Sequence, residues 1–151
     1  MADSFFKNKL EMQLTAPRHV RYLSLLILLV GIHSLSLGIF IYFFTELFYR
    51  IFFQAEIENI FFVRQAGLFL FCLGLFYLSL LTDLKRMHRL VIVVISTKVL
   101  AVIFLITNAQ FTNCPTMILI SAAGDGSMAL LLTCFYRRAL PCLLGSVSDS
   151  Q

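Results

Sequence analysis

Four long apolar runs, separated by short polar segments, dominate the hydropathy pattern of the chain. They cover residues 22–44, 62–81, 90–109 and 116–135. An α-helix needs about 20 consecutive apolar residues to cross the hydrocarbon core of a bilayer, and each run has roughly that length. Because the runs carry no polar stripe that could face water, they predict four membrane-spanning helices. The predicted fold class is all-α, an integral membrane four-helix bundle over residues 22–138.

Residues 45–60, between the first two runs, have a different pattern. Polar side chains recur there at every fourth position, in Glu46, Arg50, Gln54 and Glu58, with apolar residues between them. This spacing predicts an amphipathic helix that is too charged to span a membrane. We expect it to lie in the interface and cover one end of the bundle. Residues 1–21 are predicted to form a basic N-terminal segment, and residues 139–151 a cytoplasmic tail with a frayed end.

The basic residues predict the orientation of the four spans. Nine Lys and Arg residues flank the spans on one side and two on the other. Since cytoplasmic loops of membrane proteins carry the excess of basic residues, both termini are predicted to be cytoplasmic. The side with nine comprises Lys7, Lys9, Arg18, Arg21, Lys85, Arg86, Arg89, Arg137 and Arg138, and the other side comprises Arg50 and Arg64.

Composition agrees with a membrane location and argues against a nucleic-acid partner. Hydrophobic residues make up 60% of the chain and charged residues 13%, which is too apolar for a soluble domain of this size. The net charge of +4 comes from basic residues at helix ends, so no nucleic-acid partner is expected. The four cysteines form no Cys-x-x-Cys pair and are interpreted as small core residues or unreactive thiols. They are Cys72, Cys114, Cys134 and Cys142.

Glycines recur at matching positions in the first two spans. Gly31 and Gly38 are seven residues apart, as are Gly67 and Gly74, so each pair lies on one helix face. Small residues let helices in lipid approach closely, and close packing is the preferred interpretation over a ligand groove. Two further glycines, Gly124 and Gly126, lie in the small-residue run SAAGDGSMA and are also predicted to serve helix packing.

Two opposite charges fall at nearly the same depth of the predicted bundle. Lys98 lies about 12 Å into the third span and Asp125 about 15 Å from the basic end of the fourth, at 1.5 Å per residue. An unpaired charge at this depth costs roughly 2.5 to 3.5 kcal/mol, so Lys98 and Asp125 are predicted to form an ion pair or hydrogen bond. His33, about 16 Å deep, is predicted to join this polar layer.

The polar layer has two interpretations at this point. It is either a structural clasp between two helices or a functional site, which would relay protons or bind a polar head group. We call the end of the predicted bundle opposite the nine basic residues the outer mouth. The polar residues predicted there are Glu46, Glu58, Arg64 and Gln65. Arg64 is expected to reach the interface, to pair with Glu46 or Glu58, or to bind an anion.

The sequence contains no recognisable catalytic or metal-binding motif, so it does not indicate a particular reaction. A haem held by two histidines is not expected, because His33 is the only deep histidine. Metal hydrolysis would need a cluster of histidines and carboxylates. Lipid or quinone contact is the remaining expectation for a cofactor.

Several short motifs resemble those of a known group of membrane proteins. They are Arg64-Gln65-Ala66-Gly67 followed by Gly74, the lone Lys98 in the third span, Gly124-Asp125-Gly126, and Tyr136-Arg137-Arg138. Over residues 22–138 the chain resembles the DoxX-like small four-helix membrane proteins of bacteria. The resemblance implies a four-helix bundle in a bacterial inner membrane, and association with quinone-linked or redox complexes. It implies no catalytic residue set.

Three functional hypotheses follow. The first is a non-enzymatic protein, free-standing or an accessory subunit, that packs on lipids, cofactors or partner helices of a larger membrane complex. The second is a transporter or proton relay, acting as a homo-oligomer, that uses His33, Lys98 and Asp125. The third is a quinone-linked membrane redox protein with Arg64 or His33 near the head group.

Overall fold

The structure, a computed structural model, describes residues 17–54, 57, 59–111 and 115–148. These residues form five α-helices and one short 3-10 helix, with no β-strand among them. The helices are α1 (Arg18–Phe43), α2 (Thr45–Phe53), α3 (Ile60–Ser79, continued by the 3-10 turn Leu80–Thr82), α4 (Leu90–Ala109) and α5 (Pro115–Ser148). Four of them, α1, α3, α4 and α5, are long and apolar enough to cross a membrane. The prediction of four long apolar helices is confirmed.

Helix α2 is shorter than the amphipathic helix predicted over residues 45–60. It ends at Phe53 because Gln54 takes a left-handed conformation, with φ 51°, and its N–H donates to the Arg50 carbonyl at 3.2 Å. A left-handed residue stops a helix. At the other end, the Thr45 hydroxyl is buried and donates to the Ile41 carbonyl at 2.8 Å, which ties α2 to α1. Glu58 lies outside the described residues.

Helices α1 and α3 touch through their backbones at four glycines. A Cβ added at Gly38 would lie 2.8 Å from the Gly67 carbonyl oxygen, and one added at Gly74 would lie 3.0 Å from the Gly31 carbonyl oxygen. Gly31 faces Gly74 while Gly38 faces Gly67, so the two helices run antiparallel. The predicted close packing is confirmed, and these faces leave no room for a ligand groove between them.

The two glycines of α5 do not pack in this way, and the prediction for them is wrong. A Cβ at Gly124 would have no heavy atom within 4 Å, and one at Gly126 would lie 3.7 Å from a methyl group of Val102. Here α4 contacts α5 through side chains, with Lys98 bonded to Asp125 and a Val102 methyl group beside Gly126.

The hydrophobic core lies at one end of the molecule. We call this the basic end; α1 and α4 begin there, and α3 and α5 end there. Each of the four long helices contributes to the core, and many of the core side chains are fully buried. The core consists of Val20, Leu23, Ile27, Val30, Tyr77, Leu80, Leu84, Val91, Val94, Leu132, Tyr136, Ala139 and Leu143.

Helix α5 extends well beyond the predicted end of the fourth span at residue 135. It continues to Ser148, so residues 139–148 of the predicted tail are helical. The reason is an apolar stripe, Leu132, Tyr136, Ala139 and Leu143, whose spacing of three and four residues places all of them in the core. This burial offsets the hydrogen bond that Pro141 removes from the helix interior.

The extension of α5 can be tested with two neighbouring leucines. Leu143 is fully buried, and Leu143→Ala is expected to lower the free energy of unfolding by about 2 to 5 kcal/mol, since it removes core contacts and leaves a cavity. Leu144 is 49% exposed, and Leu144→Ala is the matched control, with an expected change within about 0.5 kcal/mol. Unfolding in mixed detergent micelles measures both. Equal effects would show that the C-terminal turns of α5 do not pack on the core.

Candidate functional site

An ion pair joins the middle of α4 to the N-terminal half of α5. The Lys98 Nζ donates to Asp125 Oδ1 at 2.6 Å, and the two side chains are 6% and 18% exposed. Lys98 continues the buried stripe of Val91 and Val94, so the helical spacing turns it inward. The predicted Lys98–Asp125 contact is confirmed.

Space remains around the Asp125 carboxylate. Lys98 bonds Oδ1, whereas no described residue bonds the second oxygen. The Asp125 side chain is 18% exposed, so its carboxylate is not fully enclosed by the neighbouring helices. The carboxylate can therefore accept a further hydrogen bond from a small donor.

A second polar contact links α3 to α4 beside the ion pair. The Tyr77 hydroxyl lies 2.7 Å from Thr97 Oγ1, and Thr97 donates its own proton to the Val94 carbonyl at 2.8 Å. A threonine hydroxyl has a single proton, so Tyr77 must be the donor between the two hydroxyls. Tyr77 is 2% exposed and lies close enough to Asp125 to interact with its charge.

His33 of α1 lies at the margin of this group. Its ring is close enough to Lys98 and Asp125 to interact with both charges, as the sequence led us to expect. Unlike them, His33 is exposed and forms no hydrogen bond to a described residue. All four long helices thus contribute to one polar centre, which we define as His33, Tyr77, Thr97, Lys98 and Asp125.

Tyr77 is the member of the polar centre that sequence reasoning missed. A tyrosine near the end of a predicted span is usually assigned to the membrane interface, where its hydroxyl meets water. The overlooked signal was its spacing from the glycine face of α3, since Tyr77 follows Gly74 by three residues and so shares its buried side. Ser34 is also fully buried on α1, and its Oγ has no described partner.

The outer-mouth residues are only partly brought together. Glu46 and Arg64 line one depression of about 340 Å³ with Thr45 and apolar neighbours, whereas Gln65 is not among its lining residues. Glu46 and Arg64 form no ion pair there, so of the alternatives expected for Arg64 the pairing with Glu46 is not found, and its other expected partner, Glu58, lies outside the described residues. Both side chains are exposed, and an exposed pair gains too little to hold two flexible side chains together.

The described cysteines do not lie in the core, contrary to the first interpretation. Cys72, Cys134 and Cys142 are exposed on helix surfaces. Each lies outside the buried stripe of its helix, so packing leaves it on the apolar exterior. Cys114 falls outside the described residues. Within the described part of the chain, no three His, Cys, Asp or Glu side chains are grouped to hold a metal ion.

No protein-family model, curated protein or solved structure matches this chain. The resemblance to DoxX-like proteins therefore stays a prediction, and the site is interpreted from its geometry.

Proposed function

We propose that this chain is an integral membrane protein with four spans, and that it acts as a non-enzymatic subunit of a larger membrane assembly. Both termini are placed in the cytoplasm. The bacterial inner membrane is the location that the DoxX-like resemblance implies. In this proposal the polar centre is an internal clasp, and the outer surface makes the functional contacts.

The supporting observation is a set of exposed phenylalanines away from the core. Every described phenylalanine that is exposed lies beyond the level of the Lys98–Asp125 pair, toward the end opposite the basic end. We call this set the phenylalanine surface; it comprises Phe43, Phe44, Phe61, Phe62, Phe69, Phe104 and Phe111. Exposed apolar surface on this scale contacts lipid or protein, and aromatic rings are enriched at protein interfaces.

The unequal packing of the two ends favours partner helices on that surface. At the basic end, side chains from all four long helices fill a common core. The core cluster has no member toward the opposite end, where the buried residues include Gly38, Ile41, Ala109 and Ile118. Partner helices would bury the rings that this end leaves exposed.

The charge distribution supports the proposed orientation. Seven described basic residues lie at the basic end, with Asp83 as the only described acidic residue there. Glu46, Arg50 and Arg64 lie at the opposite end. The positive-inside rule then places the basic end, and with it both termini, in the cytoplasm.

Purification from native membranes in mild detergent tests the proposal. We expect the chain to co-migrate with a larger complex, and Phe61→Ala combined with Phe62→Ala to release it, because two exposed rings are removed from the contact surface. The matched control is Leu28→Ala with Leu29→Ala, two adjacent exposed residues nearer the basic end, which should leave the complex intact. Migration of the native chain as a lone monomer or homodimer would contradict the proposal.

A transporter or proton relay is the second candidate, and the position of His33 favours it. His33 is exposed beside an ion pair whose carboxylate retains one open oxygen, so a proton could pass between His33 and Asp125. Proton flux into vesicles that contain the purified protein separates the two candidates. A flux that Asp125→Asn abolishes while the protein stays folded would favour the relay.

A further inference from the structure

Two aromatic rings mark the contact between α1 and α5 at the basic end. The ring centroids of Tyr22 and Phe135 are 5.6 Å apart with an interplanar angle of 53°. Tyr22 is 51% exposed, so this ring pair reaches the surface of the molecule. An aromatic pair with one exposed ring, near the start of α1 and in the C-terminal half of α5, offers an apolar surface with a polar tip.

An arginine lies about one helical turn from each ring, on the side of the basic end. Arg18 precedes Tyr22 by four residues on α1, and Arg138 follows Phe135 by three on α5. Residues at these spacings share a helix face, so both guanidinium groups lie on the side of the ring pair and beyond it. Both arginines are exposed, and neither forms an ion pair with a described residue.

The surroundings of the two arginines are strongly positive. The turn between α3 and α4 adds Lys85, Arg86 and Arg89. Of these, Arg89 lies close enough to Tyr136 of α5 to interact electrostatically with its hydroxyl. The nearest described acid, Asp83, is exposed and accepts the Arg86 backbone N–H at 3.1 Å, within its own turn. An anion bound at this end would therefore find more cationic hydrogen-bond donors than competing carboxylates.

We propose that the contact between α1 and α5 binds one anionic phospholipid, with its phosphate between Arg18 and Arg138. The guanidinium groups donate paired hydrogen bonds to phosphate oxygens, a geometry that suits arginine. The Tyr22 and Phe135 rings lie one turn deeper and contact the glycerol and the first acyl carbons. This inference rests on the proposed membrane location, since the lipid would come from the cytoplasmic leaflet.

The test uses the full chain, purified in a non-ionic detergent, and compares its thermal unfolding midpoint after three additions. Phosphatidylglycerol is the anionic lipid, phosphatidylcholine the zwitterionic lipid, and inorganic phosphate the free anion. Of the three additions, we expect only phosphatidylglycerol to raise the midpoint, at micromolar to millimolar lipid concentrations. A ligand that binds only the folded state stabilises it by RT ln(1 + L/Kd), where L is the free ligand concentration, so the midpoint rises with lipid concentration.

Substitutions then locate the binding site. Arg18→Gln with Arg138→Gln is expected to weaken the apparent affinity for phosphatidylglycerol about thirtyfold, since each basic residue near a membrane surface contributes about fivefold. The matched control is Arg50→Gln with Arg64→Gln, which removes the same charge from the opposite end and should leave the affinity unchanged. Midpoints measured without lipid show whether each variant is folded.

Several outcomes would overturn the lipid site. They are an equal shift with phosphatidylcholine, an equal shift with inorganic phosphate alone, or equal losses in the two double variants. None of these results would remove the chain from membranes or from a larger complex, so failure of the lipid site stays distinguishable from failure of the proposed function.

Discussion

Replacing Asp125 with Asn is expected to lower the free energy of unfolding by roughly 3 kcal/mol, because it leaves the Lys98 ammonium group buried without its counter-charge. Lys98 is 5% exposed and its Nζ donates to Asp125 at 2.6 Å, so water cannot replace the lost carboxylate. Lys98→Met is expected to cost less, since the Asp125 side chain is 18% exposed and the Lys98 side chain only 6%, so the carboxylate left behind is less completely shielded from solvent. Denaturation in mixed micelles measures both changes.

The double variant, Lys98→Met with Asp125→Asn, separates the clasp from a functional site. Removing both charges leaves no buried unpaired ion, so stability should return to within about 1 kcal/mol of the native protein. Glu46→Gln, an acid-to-amide change at an exposed position, serves as the control and should be neutral. A double variant that is stable and assembles normally supports the clasp. A double variant that is stable but has lost assembly or proton flux would show that the pair has a functional role.

The second large effect is expected at the contact between α1 and α3. A Cβ at Gly38 would lie 2.6 Å from the Phe71 backbone nitrogen and 2.8 Å from the Gly67 carbonyl oxygen. Both atoms are backbone, so no side chain can rotate away, and the helices must move apart. Gly38→Ala should therefore cost about 1 to 3 kcal/mol or more, measured as a loss of unfolding free energy in detergent.

Gly124→Ala provides the control, because the same substitution there meets open space. Alanine is the better helix former by up to about 1 kcal/mol, so Gly124→Ala should be neutral or slightly stabilising. The two substitutions are thus expected to differ in sign. Equal effects at both sites would contradict the backbone contact between α1 and α3.

Sequence reasoning located the Lys98–Asp125 contact because depth can be counted along a predicted helix. Both residues lie at a countable distance from the basic end of their helices, and an unpaired charge in hydrocarbon is costly enough to require a partner. The same reasoning could not include Tyr77. Whether its hydroxyl reaches water or Thr97 depends on the rotation of α3 against α4, which no local pattern in the sequence specifies.

The glycines show that residue type alone does not predict where two helices touch. Gly31, Gly38, Gly67 and Gly124 all suggest close packing by residue type, yet only the first three meet another backbone or a packed side chain. Glycine permits close approach without causing it. Contact follows where the facing helix also presents small residues, as α3 does to α1, and is absent at Gly124, where no neighbouring atom lies within 4 Å of the Cβ position.

The sequence by itself determined the existence and approximate length of four apolar helices, the excess of basic residues on one side and the pairing of two deep opposite charges. These features depend on local hydropathy and on the cost of burying charge, which are properties of single segments. The tertiary structure decided where α2 and α5 end, which glycines touch, and which hydroxyls join Lys98 and Asp125. Those outcomes depend on how whole helices rotate and pack against one another, because a side chain becomes buried only when another helix covers it.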